Sequence, residues 1–199
     1  MRKFNMIQNT SGWPAVYEQS VGIFGQAKAD AIFDRALELT EKYENDYRDS
    51  NGIHRMHIMA AIAEGSLYLP LKEELGPEKA ARILEEAAKP TAVAKHNKIE
   101  RLPPHLFIKV AGLITSTMFG EKAGFKRKWH CNTAAEKRFD LLTCPYVEVL
   151  TKMGCPEVCP SICIQDEYSF SGMKNGVLFE RTKTLGRGDN CCDFCYRIP

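Results

Sequence analysis

The chain divides at about residue 120, and that division constrains its fold more than any other feature of the sequence. Before it, apolar residues recur with a helical period and proline marks the ends of segments. After it come all eight cysteines (Cys131, Cys144, Cys155, Cys159, Cys163, Cys191, Cys192 and Cys195), together with stretches of strand-like alternation. From about Ala27, the series Ala29, Ile32, Phe33, Ala36, Tyr43 and Tyr47 predicts a helix that ends before Asn51-Gly52. A second helix is expected over His54–Leu69, ended or bent by Pro70, which removes a backbone donor. Pro77 suits the first turn of a third helix running to Ala88, with Pro90 as its stop. Pro103-Pro104 open a fourth, Leu106–Met118. Residues 1–14 read as an irregular lead-in.

Beyond residue 120, Lys137–Cys144 has strand character, and Tyr146–Met153 and Pro156–Gln165 read as short helices. Val177–Lys183 and Cys191–Ile198 read as strands around a turn holding Gly186, Gly188 and Asp189-Asn190. The expected fold is α+β: a helical N-terminal two-thirds packed on a small antiparallel sheet that ends in a C-terminal β-hairpin. The expected organisation is a lead-in over 1–20 and one domain over 21–199, helical over 21–120 and Cys-rich over 121–199. The basic cluster Lys122, Lys126, Arg127, Lys128 reads as a solvated face or turn.

Lys+Arg 27 against Asp+Glu 25 gives a net charge of +2, without the concentrated positive charge of a nucleic-acid binder. No stretch approaches the roughly 18 apolar residues of a membrane span. The basic start, Met1-Arg2-Lys3-Phe4-Asn5, lacks the apolar run of a signal peptide. A soluble, cytoplasmic protein with a small-molecule substrate, no nucleic-acid or membrane partner and no cofactor is therefore expected. In a reducing compartment its cysteines would be free thiols, most of them core residues and one or two chemical.

Cys155, Cys159 and Cys163 are spaced to share a helix face, although Pro160 interrupts the series. Cys192-Asp-Phe-Cys195 is a lone C-x-x-C, and on a strand its two sulfurs face opposite ways. No metal ligand set is expected from it. His54 and His57 share a helix face without a third ligand nearby. Cys163 and Asp166 lie one helical turn apart, and Cys192-Asp193 is a second thiol–carboxylate pair. Such pairs suit nucleophilic attack with proton transfer. Read from spacing alone, Asp166 is a helix-end residue and Arg181 a strand-surface residue.

The tail Arg181-Thr182-Lys-Thr184, Gly188, then Cys192-Asp193-Phe194, resembles that of the L-2-amino-thiazoline-4-carboxylic acid hydrolase family. Cys144-Pro-Tyr146, Gly154-Cys-Pro-Glu157 and Cys163-x-x-Asp166 are similar to the family's pattern as well, and the likeness extends over about residues 55–197. Cys195 stands where the family commonly carries Arg. The resemblance implies hydrolysis of a cyclic amidine, in the reference case ring opening of L-2-amino-thiazoline-4-carboxylate to N-carbamoyl-L-cysteine. It implies catalytic roles for Cys192, Cys163, Asp166 and Asp193, with Cys192 favoured as the essential thiol. It implies substrate contacts from Arg181, Thr182, Thr184, Cys144 and Glu157, with Arg181 and Asp166 as opposite poles of the site. Thiolate attack and carboxylate-activated water are both open at this point. The alternative is a Cys-rich small-molecule or metal-binding sensor module without catalysis, similar to sensor domains of the vinyl-reductase type.

Overall fold

The computed structural model describes Asn5, Gln8, Asn9 and residues 11–199; the others, on which most of the signal-peptide expectation and part of the lead-in fall, lie outside them. Helices α1 (Trp13–Phe24), α2 (Gln26–Asn45), α3 (Gly52–Leu75), α4 (Pro77–Ile99) and α5 (Pro104–Met118) precede strands β1 (Arg127–Asn132) and β2 (Glu136–Leu141). Then come α6 (Pro145–Lys152), α7 (Cys159–Phe170), β3 (Leu178–Glu180) and β4 (Cys192–Arg197). The sheet is antiparallel with order β1-β2-β4-β3. This is the expected α+β architecture, including the pairing of the last two strands.

Three local expectations are corrected. Part of the supposed lead-in is helix α1, whose Trp13 is fully buried and donates its indole N–H to the Ala63 carbonyl at 3.2 Å. Pro70 and Pro90 do not end their helices but lie inside α3 and α4. Each costs one backbone hydrogen bond, but the flanking turns are held by burial: Leu67, Tyr68 and Leu71 around the first, Ala87 and Ala92 around the second. Of the basic cluster, Lys122, Lys126 and Lys128 are exposed as expected, while Arg127, half-buried on the edge strand β1, donates to the Thr115 and Phe119 carbonyls. The exposed Lys128 guards the sheet edge. Finally, α7 begins only at Cys159, after a 3₁₀ turn at Pro156–Val158, so Cys155 does not share a helix face with Cys159 and Cys163.

Two cores result. The first is helical, built on Trp13, Phe33, Tyr68, Leu71 and Leu150. The second lies between α5 and the inner face of the sheet, built on Phe107, Ile108, Phe139, Phe194 and Tyr196. Tyr146 packs against both. His57 reaches it from α3: Nε2 lies 2.9 Å from the Met118 carbonyl and Nδ1 3.1 Å from the Tyr146 hydroxyl. The carbonyl can only accept, so Nε2 carries the proton and Tyr146 donates to Nδ1. The His54/His57 pair is thus no metal site; His57 is a buried, fully bonded tie.

Candidate active site between helix α7 and the last strand

On β4, Cys192, Phe194 and Tyr196 point inward to the second core, while Asp193, Cys195 and Arg197 point outward, as the period of two requires. The outward Asp193 braces the loop between β3 and β4. It accepts from the Thr182 amide (2.8 Å), the Thr182 hydroxyl (2.6 Å) and the Lys183 amide (2.6 Å). Against the upward pull of burial, the Thr182 hydroxyl and the Lys183 and Thr182 amides hold its carboxyl below the usual range. Further along the loop, the Thr184 amide donates to Asp189 at 2.8 Å and the Leu185 amide to the Cys192 sulfur at 3.2 Å.

This brace fixes Arg181, whose side chain is only 2% exposed. Its guanidinium donates to Asp166 Oδ2 (2.8 Å), to the Cys163 carbonyl (2.7 Å) and to Glu167 Oε1 (3.2 Å), and lies 5.1 Å over the Phe194 ring. A planar fork is the side chain that can serve three acceptors of one helix end at once. Arg181 and Asp166, expected at opposite ends of a substrate, are thus bonded to each other through the terminal guanidinium nitrogens, while the buried Arg181 Nε has no partner.

Asp166 looks the other way into a cavity of about 120 Å³ between α4, α5, α7 and the sheet. Phe107, Phe139, Phe170, Phe194 and Tyr196 form much of its wall, and its charged lining residues are Asp166 and Lys95. The Asp166 side chain keeps 35% exposure. The apolar rings nevertheless desolvate it: burial raises its pKa, with Arg181 and then Lys95 pulling it back only in part. Lys95 lies 4.3 Å over the Phe170 ring, and burial lowers its pKa against the pull of Asp166. Burial drives the Tyr196 phenol well upward, so it stays protonated.

The thiols gather behind this wall rather than in it. Cys159 and Cys163 lie side by side against Gly186 and titrate as a pair: their interaction lowers the Cys163 pKa, burial opposes, and Arg181 adds to the lowering, while Cys159 is raised. Both sulfurs crowd Gly186, where an added Cβ would stand 2.8 Å from Cys163 Sγ and 2.9 Å from Cys159 Sγ. Burial pushes Cys192 up to about 12 and Cys144 up to about 11, the latter against the Val147 and Tyr146 amides.

The predicted residues therefore distribute unevenly. Cys163, Asp166 and Arg181 form one bonded cluster, with Cys192, Thr182 and Asp193 behind it as loop supports. Thr184 is buried and its hydroxyl has no partner. Arg181, Thr182 and Asp193 also line a shallow groove on the sheet's outer face, not the aromatic cavity. Glu157 lies elsewhere, its carboxylate taken by Lys72 (2.5 Å) and Tyr68 (3.1 Å). Lys95 and the aromatic walls were missed; Tyr196 could have been found from the alternation of β4, but Lys95 sits in an unremarkable polar stretch.

A family model described as L-2-amino-thiazoline-4-carboxylic acid hydrolase matches residues 55–196. The chain belongs to that family. No curated protein and no solved structure gives a significant match. The segment shared with the hydrolase family runs from the start of α3 to Tyr196, so it contains the whole Asp166 cavity and the thiol cluster, while α1 and α2 lie outside it. Among the described residues, no helix is long and apolar enough to cross a membrane.

Proposed function

We propose that the protein hydrolyses a small cyclic amidine of the L-2-amino-thiazoline-4-carboxylate type, bound in the aromatic cavity with Asp166 on its amidine. The observation that carries this reading is a desolvated carboxylate, oriented by a buried arginine, facing an aromatic slot with a lysine as its other charged lining residue. Aromatic walls suit a flat ring. Asp166 pairs with the protonated amidine, and Lys95, in the role first expected of Arg181, meets the substrate carboxylate. Arg181 becomes a positioning residue that keeps Asp166 aimed at the cavity.

In this reading the thiol role belongs to Cys163, not to Cys192. Cys159 and Arg181 favour thiolate on Cys163, whereas Cys192 is buried and held as a thiol. Cys163, one helical turn from Asp166, does not itself line the cavity, so this route requires the carbon between the two nitrogens and sulfur to pass beyond the wall, where the Cys163 thiolate adds to it. The ring carbon–sulfur bond breaks, and the substrate sulfur leaves as a thiolate that takes a proton. Water, deprotonated by Asp166, then attacks the enzyme-bound carbon, expels Cys163 and leaves N-carbamoyl-L-cysteine. Asp193, Thr182, Thr184 and Cys192 hold the loop, and Cys144 lies at the start of α6 beside the cluster.

A second reading has one observation in its favour: Asp166 lines the cavity and no thiol does. There Asp166 activates water for direct attack on the same carbon and Cys163 is structural. Rates for Cys163→Ser, Cys192→Ser and Asp166→Asn separate the two. The thiolate reading expects Cys163→Ser and Asp166→Asn to lose about a hundredfold or more in kcat, with Cys192→Ser active. Full activity in Cys163→Ser with loss in Asp166→Asn gives the water route, and full activity in Asp166→Asn rejects both.

A further inference from the structure

Helix α7 has a second cavity on another face. It is about 160 Å³ and lies among α3, α4, α6, α7 and the residues before α1, with Ser11, Glu64, Tyr146, Ser161 and Gln165 as polar lining residues. A space of that size takes a group of roughly benzene's bulk. Glu64 is only 8% exposed, and among the described residues its carboxyl neither accepts a hydrogen bond nor joins an ion pair. A carboxyl buried this way normally has a partner, because desolvation without one is costly.

Among the described residues, the side-chain donors that line it are committed elsewhere, apart from the Ser11 hydroxyl, which can also accept. Gln165 Nε2 donates to the Ser161 carbonyl (3.2 Å) and the Glu85 carbonyl (3.5 Å), leaving its buried Oε1 without a donor. The Ser161 hydroxyl donates to the Val158 carbonyl at 2.6 Å. The Tyr146 hydroxyl gives its proton to His57 Nδ1, whose other nitrogen is tied to Met118. What remains toward the cavity is a set of acceptors, one of them a carboxyl group with no counter-charge.

We propose that this cavity is a second binding site, separate from the Asp166 site, for a compact cation that carries several N–H donors, a primary ammonium or amidinium group. Glu64 supplies the counter-charge, and Gln165 Oε1 and the Tyr146 and Ser161 oxygens take the N–H groups. A cation without N–H donors leaves those oxygens unmet. The inference does not rest on the hydrolase reading, since it uses none of that site's residues.

Acetamidinium is a suitable probe. Calorimetric titration of the full chain is expected to show saturable binding, weakened about tenfold or more by Glu64→Gln and severalfold by Gln165→Met, and retained in Asp166→Asn. Tetramethylammonium, similar in size and charge but without N–H groups, is expected not to compete. Circular dichroism checks that each variant is folded. Should Glu64→Gln fail to fold, Gln165→Met carries the comparison. Absence of saturable binding, binding unaffected by the α3 and α7 substitutions, equal binding of tetramethylammonium, or loss of binding in Asp166→Asn alone overturns the proposal.

Discussion

Arg181 is a structural tie that the proposed site also uses to orient Asp166. Its three acceptors all sit on the last turns of α7, so its loss leaves the Asp166 and Glu167 carboxylates without their cation in a partly desolvated place. Removal of one partner of such a pair costs more than the pair contributes. Arg181→Lys keeps the charge but loses the fork, and is expected to destabilise the protein by about 1–3 kcal/mol in denaturant titration. It should also move the acidic limb of the rate profile upward. The sign follows from Asp166: its folded pKa lies above the usual carboxylate range because burial outweighs Arg181 and Lys95. The ionised form that the proposed reaction needs is therefore lost, as pH falls, earlier than for an ordinary aspartate, and weakening Arg181 brings that loss to still higher pH. An acidic limb in Arg181→Lys that falls below the wild type's would contradict this.

At the scale of elements, the helices were legible because their apolar spacing is regular. Their prolines misled because burial, which a sequence read locally does not show, outweighs one lost hydrogen bond. Strand β1 was hidden by its composition: its exposed positions carry Lys128 and His130, and only Trp129 and Cys131 between them hint at an inner face. Cys163-x-x-Asp166 was legible as a helical pair, but the pairing of Asp166 with Arg181, and Lys95 as the cavity's cation, depend on how α4, α7 and the β3–β4 loop meet.

Two predictions belong to this scale. The loop passes the sulfurs of α7 at Gly186, so Gly186→Ala is expected to destabilise by about 1–3 kcal/mol and to change the alkylation rate of Cys163. At Gly22, on α1, a Cβ meets nothing within 4 Å, and the same change should stabilise by about 0.5–1 kcal/mol. Similar thermal shifts for both would contradict the close approach.

The second concerns Glu64 on α3, which burial raises from an ordinary value of 4.5 to about 7. The folded protein holds this proton more tightly than the unfolded chain. The cost of ionising it is absent below pH 4.5, grows through pH 7 and is complete above, about 3 kcal/mol in all. Tyr146, the other titratable group on that cavity, is raised by burial and silent in this window. Glu64→Gln should remove this part of the pH dependence in denaturant titrations between pH 4 and 8; an unchanged slope would contradict the burial of a proton-binding carboxyl.

The whole molecule brings its candidate site to where its two cores meet. Helix α7 packs on α4, presents Cys159 and Cys163 to the loop that leads into β4, and turns Asp166 toward the aromatic box beneath α5. The family match covers α3 through β4 and so covers every element of this arrangement, while α1 and α2 add to the helical core without touching the cavity. The account's central claim is that the Asp166 cavity opens a cyclic amidine, and release of a thiol from L-2-amino-thiazoline-4-carboxylate tests it most directly. Wild-type protein and Asp166→Asn, matched for thermal stability, are compared by thiol titration and mass detection of N-carbamoyl-L-cysteine. The account expects steady product from the wild type and a rate lower by about a hundredfold or more in Asp166→Asn. No thiol release from the wild type, or an equal rate from the folded variant, would contradict it.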